Sequence, residues 1–283
     1  MHGPSQTASF KVAMVQMLVE GGQLASNLHR AEQRIAEAAR LGADLALLPE
    51  TLDLGWTDPS SLRLAEPIPG GEPFQRLAAA AKQAGIYVCA GLTERDQQQV
   101  YNAAVLLSPA GELLIKHRKL NELDIGHEYY AQGDGLHVAH TPHGTLGLMI
   151  CADAKAKDNV LSRALCYMGA DLILSPSAWA KPADHDNRLT PYGDNWRAVY
   201  CPVAKEFAVW FLSASNVGPM TGGPWRGYNC IGCSMVIDPH GNQVLQGPYG
   251  AAAEALLLVD VQPVPRPARG TLWDNYGQPK TAV

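Results

Sequence analysis

The stretch RLGADLALLPE, residues 40–50, decides the fold. Gly42 stops what precedes it, and a strand expected over residues 43–48 then ends at Pro49 and the carboxylate of Glu50. Upstream, FKVAMVQ (residues 10–16) reads as a strand. Residues 24–41 read as a helix, with apolar positions at Leu28, Ala31, Ile35, Ala38 and Ala39, and with Ser26 and Asn27 available as caps. This is a β-α-β unit that places a carboxylate at the end of its second strand. The pattern returns as YMGADLILSPSAW, residues 167–179, behind a helix expected over residues 160–168. The shared identity is too short to establish a repeat, so it reads as an architectural echo.

Between and after these units the spacing predicts hairpins. Residues 101–107 and 112–117 turn around SPAG, residues 136–140 and 145–150 around PHG, and residues 231–239 and 243–247 around HGN. A second helix is expected over residues 74–84 and another from Trp196 to Lys205, disturbed by Pro202. Residues 181–192 read as a charged loop and residues 216–228 as a glycine-rich irregular segment. Strands outnumber helices, and hairpins mix with β-α-β units. A mixed two-sheet α/β core with helices outside fits this better than a purely parallel sheet.

With 283 residues, 47% hydrophobic and 17% charged, the chain has ample apolar mass for a large globular core. A net charge of -5 without a lysine–arginine cluster argues against nucleic acid or an anionic membrane as a partner. The start, MHGPSQTAS, lacks the basic and apolar regions of a signal peptide, and no apolar run approaches the ~18 residues that span a bilayer. Cys89, Cys151, Cys166, Cys201, Cys230 and Cys233 are irregularly spaced and lie mostly in apolar runs. Reduced thiols in the cytoplasm are the expectation. One domain is expected over residues 9–262, between a flexible stretch at 1–8 and an extended arm at 263–283 that holds Pro263, Pro265, Pro267 and Pro279.

Polar chemistry begins where a second apolar run stops. Residues 146–150 end at Cys151, followed by Ala152 and Asp153. Read locally, Cys151 is a nucleophile at a strand end or one more buried cysteine, and local sequence favours the second. Glu50 and Lys119 change that balance, because the three together are chemically coherent. A thiol near pKa 8.5 is mostly protonated at neutral pH. A carboxylate can take its proton as it attacks, and a fixed ammonium can stabilise the oxyanion formed on a substrate carbonyl.

These residues sit in motifs that follow one another as KVAMVQM, LLPETLDLGW, YNAAVLLSPAGELL, HRKL, GLMICAD, GADLILSPSAW, SNVG and GCSMVIDPHGN. In that order and spacing they resemble the nitrilase superfamily, the carbon–nitrogen hydrolases, over about residues 9–262. The resemblance implies an α-β-β-α sandwich of two mixed sheets flanked by helices, assembled as a homodimer or higher homo-oligomer, with no metal and no organic cofactor. It makes Glu50 the general base, Lys119 the oxyanion stabiliser and Cys151 the nucleophile, with the backbone N–H of Ala152 completing the oxyanion hole. It also implies a second glutamate after the lysine, placed here at Glu128.

Departures from the family pattern bear on substrate. True nitrilases usually carry Trp directly after the nucleophile, and this chain has Ala152, which points to an amide rather than a nitrile. The segment AKAKDNV replaces the usual continuation, and VAKEF weakens a later helix pattern. The expected reaction is hydrolysis of a small linear amide, an N-carbamoyl compound or a related acyl-amine through a Cys151 thioester. Transfer of the same acyl group to an amine is the alternative, and a non-catalytic binding protein on this fold stands last. Trp56, Tyr129, Tyr130 and Trp179 are candidate pocket walls, with core packing nearly as well favoured. Asp153 is a further pocket candidate. Lys155, Lys157 and Arg163 either meet a substrate carboxylate or sit solvated at a helix start, and the second is favoured. CxxC at Cys230 and Cys233 lacks a second pair and reads as packing. His137, His140 and His143 are expected at the surface, and Asp184, His185 and Asp186 in a charged loop.

Overall fold

The computed structural model of the protein describes residues 8–264. Its first half runs β1 (Phe10–Gln16), α1 (Leu24–Arg40), β2 (Leu45–Leu47), α2 (Ser61–Leu64), α3 (Glu72–Ala84), β3 (Tyr87–Asp96), β4 (Gln99–Leu107) and β5 (Leu113–Arg118). The second half opens with β6 (Val138–Thr141), β7 (Gly144–Leu148), α4 (Val160–Tyr167), β8 (Leu172–Ser177), β9 (Ala180–Pro182) and α5 (Gly193–Phe207). It closes with β10 (Trp210–Ser215), β11 (Val217–Pro219), β12 (Tyr228–Ile231), β13 (Met235–Ile237), β14 (Gln243–Gln246) and β15 (Ala255–Val261). Two six-stranded sheets result, ordered β15-β1-β2-β3-β4-β5 and β14-β13-β10-β8-β7-β6. In each, three central strands pair in parallel and the outer ones antiparallel.

The alternation of side chains along the strands sorts them into layers. Val12 and Met14 of β1, with Leu45 and Leu47 of β2, meet Leu146, Leu148, Leu172, Leu174 and Leu212 of the opposite sheet. Ala13, Val15 and Ala46 point the other way, into Leu28, Ala31 and Ile35 of α1 and Phe74 and Leu77 of α3. On the far side, Ile173 and Phe211 pack against Trp196, Tyr200, Val203 and Phe207 of α5. The layers are helix, sheet, sheet, helix. Strands covered on both faces account for the unbroken apolar runs.

Several local readings change. Helix α1 starts behind Gln23, so Asn27 falls inside its first turn and does not cap it. The Asn27 side chain accepts from the Glu20 N–H and donates to the carbonyls of Glu20 and Asp53, tying α1 to the turn beyond Glu50. Helix α3 begins earlier, at Glu72, with Pro73 in its first turn, where a missing N–H costs nothing. Pro202 sits within α5 without ending it. The segments read as a charged loop and a glycine-rich stretch contribute β9, β11 and β12 to a small third sheet. Most of the C-terminal arm lies outside the described residues. Among the described residues no helix is long and apolar enough to cross a membrane.

Gly91 of β3 has a positional reason. Its N–H donates to the Pro49 carbonyl, and its own carbonyl accepts from Leu52. A Cβ there would lie 2.5 Å from the Glu50 Cα and 2.8 Å from the Thr51 nitrogen, both backbone atoms that cannot swing aside. Gly91→Ala is therefore expected to cost about 1–3 kcal/mol by overpacking and to displace Glu50. A melting curve and a catalytic assay check this: the rate should fall at least tenfold in protein that is still folded.

Candidate active site

Glu50 ends the β2 segment, Lys119 follows β5, and Cys151 follows β7, so the three meet at the strand ends of the two sheets. The Glu50 N–H donates to the Ser177 carbonyl at the end of β8, joining the sheets at this edge. Lys119 is buried. Its Nζ donates to Glu50 Oε1 at 2.7 Å and to Glu122 Oε1 at 2.8 Å. Asn102 Nδ2 bridges the same two carboxylates, 2.7 Å from Glu50 Oε1 and 2.9 Å from Glu122 Oε2. The Leu123 N–H also donates to Glu122.

The carboxylate beside Lys119 is thus Glu122, which corrects the placement at Glu128. The chain turns back after Lys119, and three residues suffice to return a carboxylate to the ammonium, whereas Glu128 is exposed. Only the short i,i+3 spacing in KLNE could have pointed to Glu122. Nothing in sequence singled out Asn102 as the bridge.

Cys151 has φ 42°, a conformation that costs a non-glycine residue energy unless its surroundings fix it. Here they do. The Cys151 N–H donates to Ser175 Oγ at 3.1 Å. Asp153 Oδ2 accepts from the Ile150 N–H at 2.9 Å and lies 2.8 Å from His117 Nε2. Its Oδ1 accepts from the backbone N–H groups of Leu120 and Asn121. Asp153 is therefore no pocket residue: it is buried and clamps the Cys151 turn to the Lys119 segment.

Electrostatics follow from burial. Burial pushes the Cys151 thiol up to about 12 and the Glu50 charge adds to this, with Lys119 and the Ala178 N–H pulling the other way. The resting thiol is neutral. Burial also raises Glu50 above the ordinary glutamate value, against the pull of Lys119 and with a further push from Glu122. Burial opposes charge on Lys119, but Glu122 and Glu50 outweigh it and hold the ammonium well above the usual lysine range. Asp153 is lowered: burial works against its charge, and His117 with the backbone donors overcomes it.

Glu50, Lys119, Cys151 and Ala152 line one cavity of about 120 Å³. Trp56 and Trp179 are among its walls, and Lys155 also lines it. Tyr192, Trp196 and Trp225, which the sequence did not single out, complete the aromatic surround. Trp179 stacks on Trp196 with centroids 4.6 Å apart. Tyr129 does not line the cavity. It packs against a neighbouring cluster, its ring 6.3 Å from that of Tyr130. Arg163 turns away to Glu206. His143 is half-buried rather than at the surface, stacked 4.3 Å from Phe10. Cys230 and Cys233 are free and buried, and Asp186 pairs with Arg188.

A fold of two facing sheets with a buried carboxylate and ammonium and a half-buried thiol at their common edge defines a class, and the comparisons agree. The carbon-nitrogen hydrolase family model matches residues 11–266. The omega-amidase NIT2 of Xenopus tropicalis is 34% identical, with 90% of this chain and 89% of that protein covered. A nitrilase of Pyrococcus abyssi is 32% identical over 81% of each. An amidase structure from Nesterenkonia sp. superposes with a TM-score of 0.75 at 22% identity, covering 89% of this chain and 90% of that one, and so shares the fold. The chain belongs to the carbon–nitrogen hydrolase family.

Asp153→Asn places an N–H donor against backbone N–H groups in the core. It is expected to cost about 2–4 kcal/mol at neutral pH, from one or two buried donors left unpaired. Because the folded-state pKa is depressed, the contribution of Asp153 is present above the ordinary value of 3.8 and fades as pH falls below it. Denaturant melts of both proteins across that range should converge in acid. A difference that stays constant would contradict the charge assignment.

Proposed function

We propose that this protein hydrolyses the C–N bond of a small linear amide through a thioester on Cys151. The observation that carries the reading is the buried Glu50–Lys119–Glu122 cluster, whose first two members open on the same cavity as Cys151. At the ~10–15 Å³ that one water-sized occupant needs, that cavity of about 120 Å³ holds roughly ten non-hydrogen atoms. The substrate is small.

The chemistry balances without a cofactor step. As Sγ attacks the amide carbonyl, Glu50 takes the thiol proton, and the oxyanion forms beside the Lys119 ammonium and the Ala152 backbone. Collapse breaks the C–N bond, and Glu50 returns the proton to the departing amine. Water then enters, gives a proton to Glu50 and adds to the thioester. Collapse breaks the C–S bond, releases the acid, and the proton returns to sulfur. The raised thiol pKa fits this order, because proton loss accompanies attack and no standing thiolate is needed. The relatives' names divide between amide and nitrile chemistry. Ala152, standing where true nitrilases usually carry Trp, supports the amide.

Cys151→Ala is expected to abolish turnover with the fold intact, and residual activity above roughly a tenth would sink the mechanism. Glu50→Gln should lose about 10²–10⁴-fold in kcat, the range of general acid–base catalysis. A screen of amides, carbamoyl compounds and nitriles measures both. The pH profile tests the base separately. Glu50 must be ionised, and its pKa is raised, so the acid limb of kcat/KM should lie above 4.5. Glu122→Gln removes a like charge and should move that limb to lower pH. A limb that stays in place or moves up assigns the base to another group.

A further inference from the structure

Hydrogen-bond donors are shared unequally between the two carboxylates of the buried cluster. Glu122 has both oxygens engaged. Its Oε1 accepts from Lys119 at 2.8 Å and from the Leu123 N–H at 2.9 Å. Its Oε2 accepts from Asn102 at 2.9 Å and from the Trp56 indole N–H at 3.5 Å. At Glu50 the donors converge on one oxygen. Lys119 Nζ and Asn102 Nδ2 each lie 2.7 Å from Oε1, and among the described residues no donor meets Oε2. Glu50 lines the cavity with Cys151, whereas Glu122 is not part of its wall.

Asn102 is one source of that asymmetry. It lies on β4 and is buried. Its backbone carbonyl accepts the Lys119 N–H at 2.8 Å, so one residue fixes the main chain of the lysine and the side chains of both its partners. Between two carboxylates the amide must present its NH2, because the reversed amide would set oxygen against oxygen. Oδ1 is then a buried acceptor without a donor, which is unfavourable. The two N–H donors are what this side chain contributes. The terminal torsion of a glutamate is soft and roughly two-fold. A single ammonium can be met by either oxygen, whereas two donors, one from β4 and one from the segment after β5, hold one oxygen in place.

We propose that Asn102 is a positioning residue for the base: by holding Oε1 of Glu50 beside Lys119, it leaves Oε2 as the oxygen that exchanges the proton with Cys151. This rests on the amide-hydrolase reading and assigns its proton transfer to one atom. Sulfur bonds to the carbonyl carbon, the carbonyl π pair moves to oxygen, and the S–H proton passes to Oε2, leaving its electron pair on sulfur. When the C–N bond breaks, Oε2 gives that proton to the departing nitrogen. A carboxylate has about four acceptor sites, so Glu122, with four donors, stays a fixed charge.

The acid limb of kcat/KM reports this role. Lys119 and Glu122 are the charged groups that act on Glu50. Cys151, Tyr130 and Cys230 also feel its charge, and burial holds all three neutral in that range. The Asn102 hydrogen bond is one of the contacts that pull Glu50 down against its burial, so its loss raises Glu50 further. Glu50 must be ionised to act, so the limb then moves to higher pH. The test uses the full-length protein with acetamide, propionamide and butyramide. Asn102→Leu and Asn102→Val remove both donors, and the smaller, β-branched valine suits strand β4. Each should move the limb up, opposite in sign to Glu122→Gln. On the plateau kcat should fall about 10–100-fold, as for a misplaced catalytic group, with KM changed less than about threefold. The position of a limb does not depend on how much protein is folded, so partial unfolding does not imitate the effect. A limb that stays in place or moves down, or a plateau kcat within about twofold of the wild type, overturns the positioning role. Wild-type protein that still acylates on Cys151 in that case leaves the hydrolase reading standing. If none of the three amides acylates wild-type Cys151, both readings fall together.

Discussion

One buried ammonium between two carboxylates governs this structure. Lys119 is almost wholly enclosed and donates to Glu50 and Glu122 at ion-pair distance. Charges taken out of water at this depth are tolerated only when paired, and removing one partner of such a set typically costs about 3–5 kcal/mol. The cluster is held less for stability than for what it does to its neighbours. It keeps Lys119 charged against its burial. It leaves Glu50 a stronger base than a solvated glutamate, beside a thiol that cannot ionise unaided.

The rest of the fold makes that arrangement enforceable. The parallel centres of the two sheets bring the ends of β2, β7 and β8 to a single edge, where Glu50 bonds to Ser177 and Cys151 to Ser175. Gly91 lets the Glu50 turn lie flat on β3. Asp153 joins the cysteine turn to the lysine segment through four contacts from both sides. Asn102 reaches from β4 to both carboxylates. The strained backbone of Cys151 persists because Ser175 accepts its N–H and Asp153 holds the turn around it.

Much of this was legible in the chain. The strands covered on both faces show as apolar runs, and Glu50 and Cys151 stand just beyond two of them, with Lys119 after β5 in a motif that resembles the family's. What stayed hidden depends on contacts between residues distant in sequence. Glu122 resembles any polar loop glutamate until the chain folds back on Lys119, which is why the sequence reading placed the second carboxylate at Glu128 instead. Asp153 resembled a pocket residue because it lies two residues after Cys151, yet its carboxylate turns into the core to meet His117. The third sheet was missed because strands of three or four residues have too few positions to show alternation. Tyr192, Trp196 and Trp225 are ordinary aromatic residues in sequence and become cavity walls only through the packing of α5 and the loop after β11.

The most direct measurement is the mass of the protein caught in the act. The wild-type chain is mixed with an amide that it turns over and quenched in acid within the first turnover. It should show a species heavier by one acyl group, and peptide mapping should place that group on Cys151. Product formation with no adduct at Cys151, or an adduct on another of the six cysteines, would contradict the account.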